Sequence, residues 1–216
     1  MIKPPCKEAM FLYKILEGGC AMSERMDRQI NFILELDKEK NILRQTHLTG
    51  HGRRENDAEH SWHLAVMAYL LKEYANEPID IARVMIMCLI HDAVEIDAGD
   101  TYAYDKEGLS TQKEREAKAA DRIFGLLPAD QRDEFRGIFE EFEANETPEA
   151  RFAHAMDNFQ PLLLNNSNNG GDWKEHDVCL EQVLGRQNKT KLGSEEIFAR
   201  TMEILEDNVK KGTLKK

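Results

Sequence analysis

The run IARVMIMCLI at residues 81–90 is almost wholly apolar, and it ends in His91-Asp92 with Glu95 three residues further on. Such a run belongs in a protein interior, where an imidazole and two carboxylates are costly unless they meet a cation. If the helix runs on from 81 to 95, Glu95 lies one turn along from both His91 and Asp92, because residues three and four apart share a face. Imidazole nitrogen with carboxylate oxygen is a borderline donor set that suits Zn²⁺, Mn²⁺, Fe²⁺ or Co²⁺. The His-Asp pair alone supplies too few donors for a tight site, so others have to come from elsewhere in the chain.

His60 is the first candidate, since it heads the stripe His60, Leu64, Met67, Leu71 and so points inward. Asp157 is the second. It lies beside the stripe Phe152, Met156, Phe159, Leu163, and Pro161 four residues later leaves its carbonyl without a helical N–H, so a kink is expected there. The chain carries its own control in His176-Asp177. That pair sits at the charged start of an amphipathic segment and has no carboxylate three residues on, so it is expected outside any metal site.

The elements that must position these residues read as helices throughout. Helical spacing marks Ser23–Leu43, a helix capped by Asp57, the apolar helix 81–95, and two helices around Ala117–Leu127 and Phe135–Phe142. Thr147-Pro148 has the form of an N-cap followed by proline at the first helical position. NNSNNGGDW at 165–173 reads as a flexible loop, followed by helices around Glu175–Arg186 and from Ser194, with a fraying Lys-rich tail. No segment shows strand alternation and no internal repeat is present. The expectation is one all-α domain over residues 23–210, with 1–22 as an N-terminal extension and 211–216 as a tail.

Composition narrows the partners. A chain of 216 residues with 41% hydrophobic and 32% charged residues is long enough for a sizeable core and is not of disordered type. The apolar run stops at His91, short of a membrane span. The cysteines (Cys6, Cys20, Cys88, Cys179) have neither disulfide-framework nor CxxC spacing, as expected of a reduced, cytoplasmic protein. A net charge of −11 argues against duplex nucleic acid but leaves room for a small phosphorylated ligand. The acid-free window NILRQTHLTGHGRR at 41–54 is locally basic and is a candidate anion site.

Three blocks, RRENDAEHSWH (53–63), LIHDAVEIDAGD (89–100) and AMDNFQPLLLN (155–165), together resemble the HD-domain superfamily of metal-dependent phosphohydrolases, and more closely the members akin to bacterial 5′-deoxynucleotidases. The resemblance runs from about residue 30 to 164 and implies a compact multi-helix HD-domain bundle. It implies that His60, His91, Asp92 and Asp157 are metal ligands and that Glu95 handles protons near the attacking water. It further implies that Asp100 meets the sugar hydroxyl of a deoxynucleotide and that Arg44 orients the phosphate; Arg53, as a bidentate donor, is a second candidate for the phosphate. A homodimer is implied as well. Gln45, where those nucleotidases carry tryptophan, and residues 143–146 depart from the pattern at positions that bear on the base.

The function expected is hydrolysis of nucleoside 5′-monophosphates, 2′-deoxy forms in particular, with one divalent transition-metal ion (Mn, Co, Fe or Zn). The resemblance implies one ion, because dinuclear members of the superfamily carry extra histidines between the HD pair and the last aspartate, and here that interval holds only His154. The alternative is a nucleotide-binding sensor that keeps the metal cage without turnover, against which the presence of Glu95 and Asp100 counts.

Overall fold

The computed structural model describes residues 20–101 and 106–216. The expected extension at 1–22 therefore lies mostly outside the described residues, and its boundary falls within α1, which starts at Cys20 and ends at Leu36. A 3-10 turn over Asp37–Asn41 follows, and then the main departure from an all-helical reading. Leu43–His47 (β1) and Arg54–Asn56 (β2) form an antiparallel hairpin with irregular register between Leu43 and His47. Five- and three-residue strands are too short to print a period-2 pattern, which is why no strand alternation shows in the sequence.

The remaining elements are α2 (Asp57–Leu71), α3 (Ile81–Ile90), α4 (Glu95–Ala98), α5 (Lys106–Phe124), α6 (Ala129–Ala144), α7 (Pro148–Ser167), α8 (Gly171–Glu175), α9 (Leu180–Gln187), α10 (Thr190–Gly193) and α11 (Glu195–Lys211). The fold is all-α apart from the hairpin. α2 is capped by Asn56 and not by Asp57: the Asn56 side chain accepts from Glu59 N at 2.9 Å, and Glu59 accepts from Asn56 N at 3.2 Å. This reciprocal pair satisfies two orphan donors and leaves Asp57 free to face inward. Thr147 caps α7 with Pro148 behind it, as its sequence anticipates, and α7 continues through Pro161 as one helix.

α2, α3 and α7 pack on one another, with α6 also against α3 and α7. Leu64, Ala68, Val84, Met87, Cys88, Phe152 and Met156 lie fully buried among them. The segment 165–173 is ordered structure and not a flexible loop. Asn165, in the last turn of α7, accepts from Trp173 N at 3.2 Å through its side chain, and Asp172 and Trp173 are buried. The C-terminal tail is held as well, because Leu214 is buried and Leu180 N donates to Lys215 O at 2.8 Å. Among the described residues no helix is long and apolar enough to cross a membrane.

Candidate metal centre and active site

The apolar helix α3 stops at Ile90, earlier than the expected 95. From His91 to Val94 the backbone tightens into three-residue turns, with Ala93 N on Ile90 O at 3.2 Å and Glu95 N on Asp92 O at 2.8 Å. In such tight turns residues three apart eclipse one another. Glu95 is therefore brought beside Asp92, and His91 is directed elsewhere. The acidic and imidazole groups separate into two neighbouring sets: His60, His91 and Asp157 in one, Asp57, Asp92 and Glu95 in the other.

The first set converges on one point. His60 Nε2 lies 3.1 Å from Asp157 Oδ1 and 3.9 Å from Asp92 Oδ2. His91 Nε2 lies 3.1 Å from Asp92 Oδ1 and 3.9 Å from Asp157 Oδ1. Donors bound at ~2.0–2.2 Å to one ion stand ~3–4 Å apart, so these spacings fit a single cation. Both imidazoles are held in the tautomer a metal requires. His91 Nδ1 faces Cys88 O at 3.0 Å and His60 Nδ1 faces Gln160 Oε1 at 3.1 Å, so each Nδ1 carries the proton and each Nε2 presents a lone pair. His91 Nε2 is buried and makes no hydrogen bond, which is the state of a ligand atom.

The electrostatics agree with a cation at that point. Burial opposes protonation of His91, yet Asp92 and then Asp157 outweigh it and lift its pKa to about 9. A field that holds a proton so firmly is one in which a divalent ion is favoured in its place. Burial also acts to raise Asp157, but the Arg186 guanidinium, 3.4 Å from its Oδ2, and the two histidines keep its carboxyl well below the usual range.

The second set already has its cation. Arg44 Nη1 donates to Asp92 Oδ2 at 2.6 Å and to Asp57 Oδ1 at 3.3 Å. Asp92 thus links the imidazole cluster to the arginine. Burial, reinforced by Asp92, pushes Asp57 up to about 7, and burial with Asp92 and Asp57 raises Glu95 well above the ordinary carboxylate range. Glu95 lies beside Asp92, and its surroundings favour the protonated carboxyl more than water does.

His91, Asp92, Asp157, Arg44 and Glu95 open on a cleft of about 1060 Å³, which Gln45, Asp100 and Glu143 also line. Asp100 follows Gly99, whose φ of 76° is readily reached only without a side chain, and its carboxyl is raised by burial. Arg53 is not at the cleft. It is exposed and paired with Glu59 at 2.5 Å, so it is withdrawn as a phosphate contact. His176 lines the cleft, but neither it nor Asp177 belongs to the His60–His91–Asp157 group.

Sequence reasoning missed three contributors. Asp57 was assigned to capping, although its fully buried position beside Asp92 gives it a site role. Gln160 lies one turn beyond Asp157 and grips His60, and only its inward register on α7 could have signalled it. Arg186 reaches Asp157 from α9, 29 residues away, with no local signal.

The chain has known relatives. A family model described as HD domain matches residues 36–198. Human 5′-deoxynucleotidase HDDC2 is 31% identical over 111 residues, covering 51% of this chain and 53% of the human protein. Its Danio rerio counterpart is 28% identical over 109 residues, covering 50% and 53%. The chain thus spans about half the length of the curated relatives it matches. A crystal structure from Magnetospirillum magnetotacticum MS-1, described as a predicted metal-dependent phosphohydrolase, superposes with a TM-score of 0.86 at 49% identity, covering 89% of this chain and 97% of that one. A conserved hypothetical protein from Pyrococcus furiosus shares the fold, with a TM-score of 0.57 at 24% identity over 84% of this chain and 99% of its own. The family model spans every motif residue from Arg44 to Asp157, and the chain belongs to the HD-domain family.

Proposed function

We propose that this chain is a metal-dependent phosphomonoester hydrolase acting on nucleoside 5′-monophosphates, with 2′-deoxy forms preferred. The observation that carries the reading is the convergence of His60 Nε2, His91 Nε2 and Asp157 Oδ1, with Asp92 reaching both imidazoles from the neighbouring set and the second nitrogen of each imidazole already engaged. The names of the HDDC2 relatives and of the Magnetospirillum structure support the same chemistry.

A divalent transition ion (Mn, Co, Fe or Zn) held by these four residues would polarise a phosphoryl oxygen and bring the pKa of water down from ~15.7 toward neutrality. Occupation of the neighbouring carboxylate set by Arg44 favours one ion over two. Arg44 uses Nη1 for both of its carboxylate bonds, so its guanidinium can also meet a phosphate in the cleft. Glu95, raised by burial, could deliver a proton to the departing alkoxide or accept one from the attacking water. Asp100, when ionised, is an acceptor only and suits a sugar hydroxyl. Gln45 and Glu143 line the same cleft, where they would bear on the choice of base.

A homodimer belongs to the same proposal. Trp62, Val66, Tyr69 and Leu70 recur at helical spacing and are exposed on α2, an apolar stripe of the kind that marks an interface. A cytoplasmic location is likewise proposed, supported by free thiols at Cys88 and Cys179.

The test is a phosphate-release screen of purified protein over ribo- and deoxynucleoside 5′-monophosphates with Mn²⁺, Co²⁺, Mg²⁺ or chelator. Metal-dependent release with faster turnover of deoxy forms is expected. Equal rates on both sugars would remove the deoxy preference and leave a broader phosphohydrolase. Tight metal and nucleotide binding without release would replace the enzyme by the sensor.

A further inference from the structure

The hairpin carries two histidines that the catalytic cage does not use. His47 ends β1, and His51 sits in the turn with a φ of 55°. Their rings stack at 4.2 Å between centroids. Facing them, α8 presents Asp172 and Glu175, three apart and so on one face. His47 Nδ1 is 2.6 Å from Asp172 Oδ1, and His51 Nε2 is 3.5 Å from the same oxygen. One donor atom from each of His47, His51, Asp172 and Glu175 lies within 4.8 Å of all the others.

The backbone that holds them is fixed from α7 and α8. Asn168 accepts from His51 N at 3.0 Å and donates to Leu48 O at 3.0 Å, while Asp172 Oδ2 accepts from His47 N at 3.1 Å. Gly171 makes room for the second ring, since a Cβ there would stand 2.7 Å from His51 Nε2. Asp172 is buried, and its Oδ1 faces two imidazoles at once. A proton shared with His47 satisfies one of them; a cation satisfies both.

We propose that His47, His51, Asp172 and Glu175 form a second divalent-metal site, of the zinc class, which staples the β-hairpin to the start of α8. Two imidazoles and two carboxylates are a donor set that Zn²⁺ takes in tetrahedral geometry. Arg54, 3.3 Å from Glu175 and partly exposed, is the competing cation and has solvent to move into. The staple would hold β1 at His47, steadying the strand that carries Arg44. It involves none of the four residues of the catalytic cage.

The experiment is titration of chelator-stripped, full-length protein with Zn²⁺, read as bound equivalents after gel filtration. The unmodified protein should retain one equivalent more than His51→Ala or Glu175→Gln, both changes at exposed side chains that leave the fold in place. Asp157→Asn should keep this extra equivalent, and loss of zinc in that variant bears on the catalytic cage alone. Identical zinc content in the unmodified protein, His51→Ala and Glu175→Gln overturns the proposal.

Discussion

His60 Nε2 lies 3.1 Å from Asp157 Oδ1, across 97 residues of sequence, while Gln160, one turn beyond Asp157, holds the other nitrogen of the same ring at 3.1 Å. One face of α7 therefore faces both nitrogens of a histidine on α2. Gln160 in turn donates to Glu55 Oε1 at 2.7 Å, so the hold extends to β2. Docking of α7 on α2 both completes the core and assembles the cage.

Gln160→Leu removes the acceptor that fixes the His60 tautomer and leaves Glu55 without its donor. Loss of such an outer partner commonly costs 10- to 100-fold in metal affinity. A decrease of about that size is expected in competition with a chromophoric chelator, together with a stability loss of about 1–3 kcal/mol in denaturant unfolding. Unchanged affinity would mean that Gln160 is only a packing residue.

Glu95 sits with Asp57 and Asp92, apart from the two imidazoles. Glu95→Gln should keep the metal and lose about 10²–10⁴-fold in turnover, the usual range for a proton-transfer group. Metal analysis beside steady-state rates separates the possibilities. If the metal leaves with the activity, Glu95 is a ligand.

Asp100 lines the cleft, and in the proposed function it accepts from a sugar hydroxyl. Asp100→Ala should cost about 2–4 kcal/mol in kcat/KM on 2′-deoxynucleotides, through a lost hydrogen bond and a misplaced substrate. Discrimination between deoxy and ribo substrates should shrink with it. An unaltered ratio would reduce Asp100 to a turn residue.

Much of this was legible before any coordinates. The inward stripe containing His60, the HD pair at the end of an apolar run, and the Thr147-Pro148 start of α7 each follow from side-chain periodicity or local capping, which neighbours in sequence determine. Less legible was whatever depends on small rotations or distant partners. The tightening at His91–Val94, which keeps Glu95 beside Asp92 but parts it from His91, involves no Gly or Pro that would announce it. The hairpin is too short to show alternation. Asp57 and Arg186 gain their meaning only from residues brought close by folding.

Glu39 offers a pH test outside the catalytic set. It is buried on the 3-10 turn with Oε1 unpartnered, and burial, with Asp92 adding to it, raises its pKa to about 8. The folded state thus binds this proton more tightly than the unfolded chain does, where the pKa is ~4.3. Its contribution to stability is complete below the unfolded value and is lost as pH rises through about 8, by up to ~1.4 kcal/mol per unit. Melting temperatures of Glu39→Gln should therefore fall less between about pH 5 and 8 than those of the unmodified protein. Parallel curves would show that Glu39 does not titrate in that window.

The most direct measurement pairs metal content with phosphate release from 2′-deoxynucleoside 5′-monophosphates, in the unmodified protein and in Asp157→Asn, with folding checked by circular dichroism. The unmodified protein should bind an ion in the cage and release phosphate, stop when stripped by chelator, and recover on return of Mn²⁺ or Co²⁺. Asp157→Asn should lose both the cage ion and the release while remaining folded. Phosphate release that survives in folded Asp157→Asn, or in the stripped protein, contradicts a catalytic centre built on His60, His91, Asp92 and Asp157.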